Sequence, residues 1–317
     1  MEFRELKYLI TIAEERSISK AAEKLFMAQS SLSQSLQSME TELGGKLFIR
    51  TSTGVRPTQA GELMLEQARK TLGEYRQVQD MIHDIGDLKT GRVELGISTF
   101  RGSYLLPGIL RDFKRHHPQI QVEITEANSM ALEQLLLEGQ VDIGLVALPL
   151  TKLKADVQLL MRDEICIVAT RDHPVLDYTR ESEQDGRKHL YVELEDTMQF
   201  EYILSDYDTI LGALARREFS RRGLVPKVCN DNLTAPFAAA MARAGLGLAF
   251  TYRSCLENYP DIHYLSIGKQ GVYLDLGTAY PPGHYRSKAA LALERQLVRG
   301  LGNNGILAQK KDTNALH

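Results

Sequence analysis

The chain has 317 residues, 43% of them hydrophobic and 25% charged, with 38 Lys and Arg against 41 Asp and Glu for a formal net charge of −3. That length suits two or three domains of ordinary globular composition and excludes a low-complexity or fibrous chain. The slight acidity excludes binding of nucleic acid through bulk charge, and no apolar run approaches the ~20 residues of a membrane span.

Residues 3–14 read as an amphipathic helix with Phe3, Leu6, Leu9, Ile10 and Ala13 inward. Its charges exclude a secretory signal and point to a cytoplasmic protein. Ser17 is a good N-cap for a short helix through Ala21, Ala22 and Leu25, because its hydroxyl accepts from a free first-turn amide. Met27 and Ala28 form a break, and a further helix starts near Gln29. Leu32, Leu36, Met39 and Leu43 make its apolar stripe. The opposite face carries Ser30, Gln34, Gln37 and Thr41, with almost no charge. Solvated faces favour Glu and Lys, whereas Ser and Gln suit base edges and phosphates in a major groove. Two short helices with a tight turn and such a face form a helix-turn-helix, although an ordinary helix pair shows the same stripe. The next segment decides between them. Lys46–Arg50 reads as a strand, Thr51–Gly54 as a turn and Val55–Thr58 as a return strand. This hairpin is a wing, and its Arg50 and Arg56 can reach phosphates or a minor groove. The candidate DNA contacts are Gln29, Ser30, Ser33, Gln34, Gln37, Arg50 and Arg56.

Residues 1–62 resemble the winged helix-turn-helix of the LysR-type transcriptional regulators. The resemblance rests on Leu6, Ala13, Ser17-Ile18-Ser19-Lys20-Ala21-Ala22, Leu25, Gln29, Leu32, Ser33, Glu40 and Leu43-Gly44, then on Leu47-Phe48-Ile49-Arg50, Pro57-Thr58 and Ala60-Gly61. The family usually has proline where this chain has Ser30, and often arginine at Gln34.

From Thr58 to Lys89 the pattern becomes a heptad seam of Met64, Ala68, Thr71, Tyr75, Val78, Ile82 and Ile85 among charges. Such a stripe needs a partner, either a second chain or this chain's own body. The resemblance makes it the linker helix that pairs two chains, and two wings on a two-fold axis read a near-palindrome. Gly91 is the natural boundary.

Beyond Gly91, strands and helices alternate. Strands are expected at 92–97, 119–123, 142–146, 165–169, 202–204, 226–230, 247–251 and 272–280, with helices at 104–116, 129–138, 208–222, 233–244 and 287–301. This order predicts a mostly parallel sheet flanked by helices, arranged as two α/β lobes like those of periplasmic binding proteins. The weaker matches Leu105-Leu106-Pro107, Phe113, Pro118, Gly139, Asp142-Ile143-Gly144-Leu145 and Ala244–Ala249 resemble the family's effector-binding domain, with Tyr252 where proline is usual.

The expected fold is therefore α/β and multidomain: a winged helix-turn-helix at 1–58, a linker and dimerisation helix at 59–90, and a two-lobe effector domain at 91–301. Lobe I covers about 91–163 and 268–301, lobe II about 164–267, and 302–317 form a disordered tail. The cleft at strand carboxyl ends is the place for a ligand. Its candidate residues are Ser98, Thr99, Phe100, Asn128, Ser129, Ala147, Ser205, Tyr207, Thr209 and Phe250. Ser and Thr at such junctions also serve simply as helix caps. The helix start near Ser98 favours an anion, the aromatic residues an apolar effector, and Asp206 and Asp208 leave a cationic one open.

Enzyme chemistry finds no support. The eight histidines show no metal-ligand spacing, and no serine sits in a nucleophile elbow. Cys166, Cys229 and Cys255 show no paired spacing; Cys166 reads as core, and Cys229 and Cys255 have no evident cationic neighbour that would lower a thiol pKa, which leaves a redox switch as a minor alternative. No catalytic residue, metal or cofactor is expected beyond a small-molecule effector. The expected partners are promoter double-stranded DNA, that effector and further copies of the chain. The resemblance adds a tetramer of two dimers and RNA polymerase, and no membrane. The competing class is a solute-receptor-like binding protein without gene regulation, which leaves residues 1–62 and the heptad unexplained.

Overall fold

Residues 1–52, 54–85, 91–184, 187–256 and 259–302 are described by the structure, a computed structural model of the chain. It divides into two units, Met1–Leu88 with Leu137–Gln140 and Gly283–Ser287, and Lys89–Leu136 with Val141–Pro282 and Lys288–His317.

The first unit opens with α1 (Phe3–Glu15), α2 (Ile18–Lys24) and α3 (Gln29–Leu43). Ser17 caps α2 as expected, accepting from the Lys20 amide at 3.4 Å. The hairpin β1 (Phe48–Thr51) and β2 (Gly54–Pro57) follows, then the long α4 (Gln59–Ile85). Leu9, Ile12, Leu32, Met39 and Leu65 pack with Leu47, Phe48 and Val55 of the hairpin in one core. The buried Glu40 carboxylate ties the end of α3 to β1, accepting from the amides of Leu47 (2.9 Å) and Phe48 (3.3 Å) and from Lys46 Nζ (2.6 Å). Two apolar positions differ from the sequence reading. Phe3 is half exposed with its ring against Tyr75, and Ile12 fills the core instead. Leu43, in the last turn of α3, is also half exposed, because the core ends at Met39 and Glu40.

Helix α4 buries Leu65 and Ala68 but leaves Tyr75, Val78, Ile82 and Ile85 exposed in the single chain. Its polar side holds the two short segments of the same unit. Arg76 Nη1 donates to the Gln140 carbonyl (3.3 Å), Gln77 Nε2 meets His284 Nδ1 (2.7 Å), and the Tyr285 hydroxyl donates to Asp84 (2.9 Å). Residues 86–90, given to this helix by the sequence, lie outside the described residues.

The second unit runs β3 (Gly91–Ile97), α5 (Thr99–His116), β4 (Ile120–Glu126), α6 (Ser129–Leu137), β5 (Ile143–Ala147), β6 (Val157–Thr170), β7 (Arg180–Gln184), β8 (Arg187–Val192), β9 (Glu201–Ser205), α7 (Ile210–Arg221), β10 (Lys227–Leu233), α8 (Ala235–Arg243), β11 (Ala249–Tyr252), β12 (Ile262–Ile267), β13 (Val272–Ala279) and α9 (Lys288–Gly302). Strand β3 lies parallel between β4 and β5, and β13 runs antiparallel to β5 and β6. The sheet is therefore mixed rather than mostly parallel. The first half of β6 pairs with β13, and its second half pairs antiparallel with β11 and β12. The larger cores of this unit gather Val93, Leu95, Phe113, Ile143 and Leu293 in one, and Tyr202, Phe219, Phe250 and Leu265 in the other.

Two boundaries differ instructively. Strand β6 starts at Val157, eight residues before the expected strand, because Arg162, Asp163 and Glu164 interrupt its apolar pattern. Helix α5 starts at Thr99 rather than Tyr104, with Ser98 as N-cap and Pro107 inside the helix. Strands β7, β8 and β12 have no counterpart in the sequence reading. Helix α9 ends at Gly302, and the expected tail at 303–317 lies outside the described residues. Among the described residues no helix is long and apolar enough to cross a membrane.

Candidate nucleic-acid interface and effector cleft

Helix α3 presents Gln29, Ser30, Gln34 and Gln37 exposed and Ser33 partly so. Gln34, Gln37, Ser38, Thr41 and Glu42 line a shallow groove along it. The one carboxylate there, Glu42, is neutralised by the N-terminal ammonium at 3.2 Å. The N-cap of α3 is Ala28, which offers no side-chain acceptor, so first-turn amides stay available to an anion such as a phosphate. The face is thus exposed and rich in paired donor–acceptor groups, as base-edge reading requires.

The wing supplies charge beside that face. Arg50 stands opposite Val55 and Arg56 opposite Ile49 in the hairpin register, and both arginines are exposed. Lys24 and Lys46 are tied to Glu15 and Glu40, while among the described residues Arg50 and Arg56 carry no ion pair. These two cations are therefore free to release counterions at a phosphate backbone. The wing is fixed to α1 by the Val55 amide, which donates to the Arg16 carbonyl at 2.8 Å. The approach is so close that a Cβ on Gly54 would lie 2.3 Å from that oxygen, and Gly54 has φ +128°. One feature of the turn had no sequence signal: Phe26, between α2 and α3, is 98% exposed with φ 54°.

The cleft candidates sit where strands hand over to helices. Ser98 makes no side-chain cap on α5. The Thr99 hydroxyl donates to Glu126 (2.8 Å). Asn128 accepts from the Ala131 amide (2.9 Å) at the start of α6, whose first residue is Ser129. Ala147 ends β5, and Ser205, buried, ends β9, its carbonyl held by Arg216 (2.7 Å). Tyr207 is exposed, and Thr209 caps α7 by accepting from Gly212 (3.0 Å). Asn128 and Thr209 thus act as helix caps, the simpler of the two readings. Phe100 is buried between Tyr104 and Tyr252, with ring centroids at 5.6 and 5.7 Å. Phe250 is buried in the core, stacked on Tyr202 at 5.5 Å.

The start of α5 packs against the 3-10 turn Arg253–Cys255 that follows β11. There Arg101, only 2% exposed, lies 3.7 Å over the Tyr252 ring. Its Nε is 3.5 Å from Asp163 Oδ2. Asp163 in turn accepts from the Ser254 amide (3.0 Å) and hydroxyl (2.6 Å). Beside it Glu164 pairs with Arg253 at 2.8 Å. Sequence reasoning passed over this cluster, though an arginine amid Ser-Thr-Phe and three charges inside an apolar strand were its visible signals. Burial raises the Tyr252 hydroxyl above its usual range, with Arg101 opposing. Burial also pushes the Cys255 thiol up to about 12 and Cys166 higher still. Each has a cation nearby in space, Arg101 and Arg253 respectively, which burial outweighs. Burial thus favours the protonated thiol at both positions. Among the described residues no group of His, Cys, Asp and Glu could hold a metal.

Residues 3–62 match the bacterial regulatory helix-turn-helix protein, lysR family, and residues 86–302 match the LysR substrate binding domain. The nitrogen assimilation regulatory protein nac of Escherichia coli K12 is 30% identical over 252 residues, 78% of this chain and 77% of that protein. The HTH-type transcriptional regulator BenM of Acinetobacter baylyi is 29% identical over 78% of this chain and 79% of its own length. Among solved structures, a full-length OxyR variant from Pseudomonas aeruginosa shares the fold with a TM-score of 0.67, at 21% identity over 95% of this chain and 99% of that one. CbnR in complex with its target DNA does so with a TM-score of 0.65, at 20% identity over 95% and 100%.

Proposed function

The chain belongs to the LysR family of transcriptional regulators, and from that premise we propose how its parts divide the work. Residues 1–58 form the DNA-binding domain, 59–90 the linker helix, and 91–301 the effector domain, with lobes meeting along β6. Gln29, Ser30, Ser33, Gln34 and Gln37 read promoter DNA, and Arg50 and Arg56 hold its backbone. The exposed Tyr75, Val78, Ile82 and Ile85 of α4 pair two chains, because such a stripe is costly to leave in water. The assembly is a tetramer of two dimers in the cytoplasm, with RNA polymerase as a further partner. A small-molecule effector binds at the strand ends around Ser98, Thr99, Phe100, Asn128, Ser129, Ala147, Ser205, Tyr207 and Thr209. It prefers one lobe arrangement and so shifts the population of assemblies. The named relatives are regulators, and we assign the chain no catalysis.

The observation that carries this reading is the exposed, uncharged face of α3 beside a wing with two arginines that carry no ion pair among the described residues. A mobility-shift assay on the DNA upstream of the protein's own gene, with and without a metabolite panel, tests it. A specific, salt-sensitive complex that changes with one metabolite is expected. Absence of any complex, with ligand binding intact, would favour the receptor-like alternative.

A further inference from the structure

Among the described residues, Arg16 and Phe26 are the non-glycine positions with positive φ, at 49° and 54°. They flank α2, the first helix of the helix-turn-helix. Left-handed backbone disfavours a residue with a Cβ, and glycine or asparagine fills it more easily. An arginine held in such a conformation calls for a use of its side chain. That side chain is exposed. The two carboxylates just before it, Glu14 and Glu15, are both taken by Lys24 Nζ, at 3.3 and 2.8 Å. Arg16 is thus left without an ion pair among the described residues. Its backbone meanwhile holds the wing, since its carbonyl accepts from the Val55 amide at 2.8 Å. A Cβ on Gly54 would lie 3.9 Å from the Arg16 Cβ, so the side chain starts beside the turn of the hairpin. Val55 stands opposite Arg50 in the register and next to Arg56 in sequence. Three exposed arginines therefore surround one docking contact.

We propose that Arg16 is a further phosphate contact of the DNA-binding domain, which completes with Arg50 and Arg56 a basic rim around the wing. The proposal rests on the DNA reading above and adds to it a residue that reads no base. In a helix-turn-helix the helix before the reading helix crosses the DNA backbone. Arg16 stands between the start of that helix and the wing, where a strand of phosphates passes from one to the other. Arg50 and Arg56 ride on the hairpin, whereas Arg16 belongs to the helical core, so the three together fix the angle between wing and helices on the duplex. The pairing of Lys24 with both preceding glutamates keeps this cation available for the backbone.

The test uses the full chain and a random-sequence duplex in anisotropy titrations over a salt series. Melting temperature and hydrogen exchange at the Val55 amide are read on the same samples. Arg16→Gly removes the charge, suits the left-handed backbone and keeps the carbonyl that docks the wing. It should melt no lower than the wild type and keep the Val55 protection. Its slope of log affinity against log salt should fall by about 0.9 per protomer, near 2 for a dimer. Arg16→Lys should restore the slope, because a phosphate needs the charge at that place. An unchanged slope in Arg16→Gly overturns the proposal. So does a fall in slope that comes with loss of Val55 protection, since a displaced wing then explains it. If Arg16→Gly does not fold, Arg16→Asn takes its place with the same expected outcomes. Arg56→Ala on the same duplex separates the two readings. A slope lowered by Arg56→Ala but not by Arg16→Gly refutes only the Arg16 contact, and a wild-type chain that binds no duplex overturns both.

Discussion

Replacing Gly54 with alanine tests the coupling of the wing to the helical core. The new Cβ would sit 2.3 Å from the Arg16 carbonyl oxygen, and φ at this position is +128°. Backbone in such a sparsely populated region costs a side chain on the order of 1–3 kcal/mol. The clash is with backbone, so the hairpin must move, and the Val55 amide then loses its 2.8 Å bond to Arg16, worth about 1 kcal/mol. The total is about 2–4 kcal/mol, confined to the DNA-binding domain. Hydrogen exchange read by mass spectrometry on the full chain reports this directly, because the Val55 amide should lose most of its protection while β3 to β6 keep theirs. Arg56 moves with the hairpin, so the salt dependence of DNA binding should flatten too. Wild-type protection at Val55 with wild-type DNA affinity would refute both the docking of the wing and its role.

Three further outcomes follow from particular residues. Arg50→Ala and Arg56→Ala should each lower the slope of log affinity against log salt by about 0.9 per wing, near 2 for a dimer, in anisotropy titrations; unchanged slopes would remove the wing from the phosphates. The buried Glu133 carboxylate accepts from the amides of Thr151, Lys152 and Leu153 and from the Thr151 hydroxyl. Burial pushes its pKa up, but those donors outweigh burial and hold it below the usual value. With the folded pKa depressed, its stabilisation is present above about pH 4.3 and is lost as pH falls through the folded value. Glu133→Ala should cost about 2–4 kcal/mol at pH 7, and Glu133→Gln should flatten the acid limb of stability in urea titrations; an acid limb like the wild type's would contradict this. Phe26→Asn relieves a left-handed residue that buries nothing, so the chain should gain about 0.5–1 kcal/mol in thermal unfolding. A loss would show that the ring makes a contact in the assembly.

Local chemistry decided which parts were legible in the sequence. The Ser17 cap, the Leu32–Met39 stripe and the turn ending at Gly54 are local signals, and the first three helices and the hairpin stand within a residue or two of where they were expected. Long-range structure was harder to read. In β6, Arg162, Asp163 and Glu164 look like a loop, because Ser254 and Arg253, the partners of Asp163 and Glu164, lie about ninety residues away and Asp275, the partner of Arg162, lies further still. Helix α5 hid its start because Leu105-Leu106-Pro107 mimics a helix opening, while the helix already begins at Thr99, after Ser98. The same shift turned Arg101 from a loop residue into a buried one. Phe250 reads as a pocket wall at a strand end, yet the neighbouring Tyr202 and Phe219 enclose it.

The central claim is that the face of α3 reads sequence while the wing supplies charge. Competition footprinting of Gln29→Ala and Gln34→Ala on the upstream DNA, alongside affinity for random duplex, tests it most directly. The account predicts that each variant loses about 1–3 kcal/mol on the specific site and keeps its affinity for random DNA. Equal losses on both DNAs would contradict it and assign these glutamines to the backbone instead.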